Sequence, residues 1–207
     1  MNTLTHWFQA ISFAGFLYPL FLLYGFLYTG SVSIAVLSES VAGTAGVLIG
    51  CSFILSVISY FFDFLDRKII LRKYLGLVGY WLAVAYSASL SLRFPEKYLA
   101  FPEMLLETEV QLGLGAMLIL TSMMLISNTK VMTFLGVKVW RRWLRLGYLA
   151  YALLIWRAVI VEGEIWNTWL QTLSTVPPPR LLLSIFASSV ILARIAMVFD
   201  QVRTKRW

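Results

Sequence analysis

Long apolar runs alternate with short polar breaks along the whole chain. Six runs approach or match the roughly 20 apolar residues that a helix needs to cross a bilayer core. They are Phe8–Tyr28, Ala42–Phe62, Tyr74–Leu92, Val110–Ser127, Leu144–Val161 and Leu181–Phe199. Backbone polar groups find no water in lipid and must bond internally, so each run predicts a helix and none an open strand. The pattern therefore predicts an all-α membrane protein, a six-helix bundle.

The breaks differ in charge. Arg67, Lys68, Arg72 and Lys73 join the second and third runs, and Lys130, Lys138, Arg141, Arg142 and Arg145 join the fourth and fifth. Arg203, Lys205 and Arg206 follow the sixth. The opposite side holds only Arg93, Lys97, Arg157 and Arg180, with Arg194 near the inner end of the last run. Basic loops stay in the cytoplasm, so the bias places both termini there. Asp63 and Asp66 are expected to pair with Arg67 or Lys68 as interface anchors. Arg194 is expected to snorkel to cytoplasmic phosphates with help from Asp200.

The outer breaks are acidic and aromatic. Glu96, Glu103, Glu107 and Glu109 lie in the first. In the second, Ile165, Trp166, Trp169, Leu170 and Leu173 form a helical stripe. That stripe predicts a short interfacial helix on the outer side, where indoles prefer to sit. Pro177, Pro178 and Pro179 stop it. It reads as an outer cap over the bundle, with a docking surface as the alternative.

Composition agrees. Of 207 residues, 60% are hydrophobic and 13% charged, against about half and a quarter in a soluble domain. Mean hydropathy is +0.81. No buried core absorbs that excess, so lipid must cover much of the surface. The net charge of +7 sits in topological clusters, which excludes a nucleic-acid partner and predicts contact with anionic lipid headgroups. Cys51 is the only cysteine and forms no internal disulfide. Met1–Phe8 carries no Lys or Arg and no cleavage site follows, so the first run is expected to be a retained helix. Residues 1–207 read as one transmembrane domain. Gly43, Gly46 and Gly50, and Gly113 with Gly115, suit close helix packing. The chain has no Walker loop, Rossmann fingerprint or paired metal motif.

Three segments carry a family resemblance. They are VAGTAGVLIGCSFILSVISYFFDFL at 41–65, DRKIILRKYLGLVGYWLAVAYSASL at 66–90, and LTSMMLISNTKVMTFLGVKVWRRWLRLGYLAYALLIW at 120–156. The last is the strongest, with a Thr-Ser helix end, a Leu-Gly turn, a Trp-Arg-Arg run and a Tyr-Leu-Ala helix. From about residue 40 to 161 the chain resembles the ferric-reductase-like transmembrane domain family. The nearest branch is that of the haem-binding membrane subunits serving bacterial methionine sulfoxide reductase. The resemblance implies a helical bundle in which histidines on the third and fifth spans clamp haem b. It puts the third-span histidine position on Tyr86 and the two fifth-span positions on Leu144 and Arg157. None is histidine. The only histidine, His6, precedes the first run and reads as a snorkelling or capping residue.

That absence changes the chemistry. Neutral imidazole suits a low-spin iron buried in lipid, leucine has no lone pair, and arginine is permanently charged. Met117, Met123 and Met124 ligate weakly and read as packing. No metal site and no cofactor are expected, and haem b least of all. Tyr86 and Arg157 would line the vacated haem position, a polar site for lipid, quinone or pigment. Arg157 alternatively reaches the outer interface or pairs with Glu162 or Glu164.

The expected function is a non-catalytic integral membrane subunit. It would act as a scaffold or assembly component of a larger membrane complex, with other membrane subunits as partners. The membrane expected is of the bacterial inner-membrane type. The alternative is a membrane oxidoreductase subunit in an electron-transport complex, passing electrons from quinol or a flavoprotein through an atypically ligated haem or other cofactor. Transport is disfavoured, because the middle of each run is apolar apart from scattered Ser and Thr.

Overall fold

The computed structural model describes residues 3–62, 70–96, 101–173 and 176–204. Asp63, Asp66, Arg67, Lys68, Lys97, Lys205 and Arg206 lie outside the described residues, and the pairing expected of Asp63 and Asp66 falls there. The described residues form helices α1 (Thr3–Thr29), α2 (Ile34–Phe61) and α3 (Leu71–Arg93), the short α4 (Phe101–Met104), α5 (Thr108–Ile126), the short α6 (Thr129–Leu135), α7 (Val137–Thr172) and α8 (Pro179–Thr204). No strand occurs among them. Six of these helices, α1, α2, α3, α5, α7 and α8, are long and apolar enough to cross a membrane. Each predicted run falls on one of them.

The six long helices alternate in direction. At one end of the bundle lie the starts of α3 and α7 and the ends of α2, α5 and α8, with Arg72, Lys73, Arg142, Arg145 and Arg203. This is the basic end. The acidic end carries Glu39, Glu109, Glu162 and Glu164.

Helix α2 is the centre. Ser33 caps it in extended conformation, its hydroxyl accepting from the Val36 N–H at 3.3 Å, so the helix starts eight residues before the predicted Ala42. It packs against α1, α3 and α8. Glycine sets the closest of these approaches. A Cβ at Gly79 of α3 would lie 2.7 Å from Ile49 Cγ1 and 3.1 Å from both the Ala45 carbonyl oxygen and the Ile49 nitrogen. A Cβ at Gly76 would lie 3.1 Å from Ser52 Oγ. Small residues let backbones meet where lipid supplies no hydrophobic drive between helices. The expected packing role of Gly43 also holds, since its face meets the Phe21 ring.

A second unit pairs α5 with α7, and α8 bridges it to α2. The main core cluster, with Ile49, Phe53, Tyr80, Leu120, Tyr151 and Val190, joins the two units. Within it the Tyr80 hydroxyl lies 3.1 Å from Thr121 Oγ1, and the Tyr151 hydroxyl donates to the Gly46 carbonyl. Hydroxyls elsewhere in the helices, such as Thr44 and Thr121, donate to carbonyls four residues back. That is how isolated hydroxyls remain satisfied in an apolar span.

Helix α7 departs from expectation. Its 36 residues extend about 54 Å at 1.5 Å per residue, against a bilayer core of about 30 Å. The Trp166 and Trp169 stripe, predicted as a separate interfacial helix, forms the last turns of α7. No proline interrupts the helix between Val161 and Thr172, so nothing ends it there. It stops at Leu173, left-handed with φ 46° and bonded back to the Trp169 carbonyl at 2.8 Å.

Candidate functional site

Because α3 leans on α2 and α5 leans on α7, the two units part toward the basic end. Between them lies a cavity of about 780 Å³. Its inner wall is apolar and belongs to the buried core, with Ile49, Phe53, Tyr80 and Leu120. Its outer part is polar and basic. Arg72 and Lys73 enter from the first turn of α3, Arg145 from α7 and Arg194 from α8. Lys73, Asn128 and Arg145 are exposed and stand at the mouth, whereas Arg72 and Arg194 are half-buried. The described lining residues include no Asp or Glu.

Local structure aims these groups. Ser52, Ser56 and Ser59 share one face of α2 and line the cavity, as helical spacing of four and three dictates. Ser56 Oγ is buried with no hydrogen-bond partner among the described residues. Arg194 turns inward: its guanidinium packs over the Tyr148 ring at 5.6 Å and donates to the Met197 sulfur at 3.4 Å. This corrects the expectation that Asp200 assists Arg194. Asp200 instead accepts from the Tyr60 hydroxyl at 3.0 Å. The physical reason is room, since the open cavity admits the side chain without a path to the bundle's outside.

Leu144, a predicted vacated histidine position, lines this cavity, between the third and fifth spans. The described lining residues include no histidine. His6 is 6% exposed and stacks with centroids 5.5 Å apart on Tyr74, a member of the second buried cluster with Ala10 and Leu75. It is a buried packing residue; the expected snorkelling or capping role is corrected because α1 already begins at Thr3 and carries it inward. Haem held by paired imidazoles does not fit this donor set. Among the described residues, no group of three or more His, Cys, Asp or Glu could hold a metal ion.

The other two predicted positions sit toward the acidic end in different surroundings. Tyr86 lines a pocket of about 50 Å³ with Phe21, Gly25 and Arg180, which is room for a water or two. Arg157 lies against Gly113, and its Nε donates to the Glu109 carbonyl at 3.0 Å. Pairing with Glu162 is not what Arg157 does. Glu162 bonds Arg180 at 2.9 Å and Trp166 at 3.2 Å, and Arg180 also pairs with Glu39 at 3.2 Å. Arg180 thereby ties α2, α7 and α8 together.

Sequence reasoning missed the cavity and the inward Arg194. Its lining comes from α2, α3, α5, α6, α7 and α8, and no linear spacing relates them. The only signal was Arg194 itself, a permanent charge inside an apolar run.

Fold and composition define an integral membrane protein, a helical bundle with six candidate spans. No family model matches the chain, and no curated protein does either.

Proposed function

We propose that the chain is a non-catalytic membrane subunit, a scaffold or assembly component of a larger complex, built on a ferric-reductase-like bundle without haem ligation. One observation carries this reading. Of the three positions where the resemblance puts haem-ligating histidines, Leu144 lines the gap between the third and fifth spans, and the described lining of that gap includes three arginines and no histidine. Both termini are cytoplasmic in this reading, and the membrane is of the bacterial inner-membrane type. The support is the clustering of basic side chains at one end of the bundle. Indoles Trp166 and Trp169, on the last turns of α7, sit at the outer interface.

The test is purification of the full chain from its membrane in mild detergent, with an absorption spectrum and mass identification of copurifying proteins. The reading expects no Soret band and a stoichiometric membrane partner. A reducible Soret band, or a chain that purifies alone from native membranes, overturns it.

A second reading has one observation in its favour. Met123, Met124, Met132 and Met197 all line the cavity, and thioether sulfur ligates soft or low-spin metals. An oxidoreductase subunit with atypical ligation would use them, and the same spectrum separates the two readings.

A further inference from the structure

We propose that the cavity at the basic end is a binding site for an anionic, phosphate-headed lipid. Arg72, Arg145 and Arg194 hold the headgroup, and a hydrocarbon chain lies along Ile49 and Leu120. The inference rests on the cavity and holds whether or not the ferric-reductase-like reading does.

Four features lead to it. First, guanidinium groups from three different helices converge on one space whose described lining carries no carboxylate. None of the three forms an ion pair among the described residues. Gathered like charges lower the stability of an empty cavity and favour an anion in it. Second, Arg194 has only a thioether as hydrogen-bond acceptor among the described residues, and sulfur accepts weakly. Its N–H groups are unused for an oxygen ligand. Third, α3 begins at the mouth with no side-chain cap among the described residues. Its first-turn N–H groups and the positive end of its dipole add to the field of Arg72. Fourth, Ser56 Oγ is a buried hydroxyl without a partner among the described residues on the same wall.

The shape selects an amphiphile. At about 780 Å³ the space greatly exceeds one phosphate, and its inner wall is hydrocarbon. A free ion would leave that wall in contact with water, which an acyl chain would displace. The headgroup chemistry selects phosphate. A carboxylate accepts mainly within its own plane, whereas the tetrahedral oxygens of a phosphate accept from several directions at once.

The full chain is purified in mild detergent, and retained lipid is counted by native mass spectrometry. Thermal midpoints are then measured with added phosphatidylglycerol, with phosphatidylcholine and with inorganic phosphate. One phosphatidylglycerol per chain is expected to survive purification, and only that lipid is expected to raise the midpoint. Arg145 is exposed at the mouth, so R145Q leaves the fold intact; it should weaken phosphatidylglycerol binding by about tenfold, the value of one charge-assisted hydrogen bond. The double variant R72Q/R194Q should weaken it about a hundredfold. R142Q, exposed and outside the cavity, should leave binding unchanged. If the double variant does not fold, R145Q against R142Q decides. Equal stabilisation by phosphatidylcholine, equal stabilisation by inorganic phosphate, or R145Q binding as tightly as R142Q would each overturn the proposal.

Discussion

Replacing Gly79 by alanine tests whether the α2–α3 contact is set by the absence of a side chain. The new methyl would sit 2.7 Å from Ile49 Cγ1, a side-chain atom that can rotate. It would also sit 3.1 Å from the Ala45 carbonyl oxygen and the Ile49 nitrogen, which are backbone and cannot. Ordinary carbon contacts begin near about 3.5 Å, so α3 must back away by a few tenths of an ångström along the whole seam. Overpacking of this kind costs about 1–3 kcal/mol. Alanine gains about 1 kcal/mol of helix propensity over glycine, so the net loss expected is about 0–2 kcal/mol, and the deficit against a control that takes the same gain without the clash is about 1–3 kcal/mol. Gly15 is the control, because a Cβ there meets nothing within 4 Å and G15A should hold or gain stability. Both variants are melted in the same detergent and followed by helical circular dichroism. A G79A midpoint equal to or above that of G15A refutes the reasoning.

Three further outcomes follow from the acidic end and from His6. Arg157→Leu deletes the donor to the Glu109 carbonyl and should cost about 1–2 kcal/mol, read as a lower thermal midpoint. Combined with Tyr86→Phe the effects should add, because the two residues have different partners; a coupling energy well above about 0.5 kcal/mol would instead favour a shared site. Glu162→Gln should lower the midpoint more than Glu39→Gln, because the side chain of Glu162 is 17% exposed and that of Glu39 is 41%. Exposed ion pairs contribute at most about 1 kcal/mol, and equal losses would refute the ranking. His6→Phe should not destabilise, since it keeps a ring on Tyr74 and removes a buried Nδ1 with no hydrogen-bond partner among the described residues; a fall in midpoint beyond about 1 kcal/mol would reveal a polar partner for that nitrogen.

What the sequence revealed, and what it hid, follows from the range of the forces involved. Spans are legible because apolar length is a local property that lipid thickness reads directly. The predicted run Tyr74–Leu92 differs from α3 by only a few residues at either end. Helix α7 was half-hidden, since the Trp140 to Arg145 segment at one end and Glu162 to Thr172 at the other are too polar to register as a span. They continue the helix because nothing breaks it. Gly79 gave no distinctive signal among thirteen glycines, and only the facing backbone of Ala45 shows what it does. Arg194 was legible as a charge in a span but not in its direction. Snorkelling is the default where no cavity exists, and a cavity is a tertiary fact.

The arginines of that cavity should change sign in their effect on stability with the lipid supplied. In a bundle without an anion, Arg72 and Arg194 line one space with no carboxylate among its described lining residues, so their charges repel. In a water-filled space two like charges repel by at most about 1 kcal/mol, the bulk-water value at contact. Removing one relieves that repulsion, so R194Q reconstituted in pure phosphatidylcholine should melt at or above the unmodified chain. With an anionic lipid at about 100 times its dissociation constant, occupancy adds about 2.7 kcal/mol to the unmodified chain. A variant that binds about tenfold more weakly keeps about 1.4 kcal/mol of that. The order of the two melting curves should therefore reverse when phosphatidylglycerol replaces phosphatidylcholine. A purely structural role for Arg194 predicts a loss of stability in both lipids. A surface charge with no role predicts no change in either. Only a site whose own charges oppose one another until an anion enters predicts the crossing, so curves that keep their order in both lipids would rule it out.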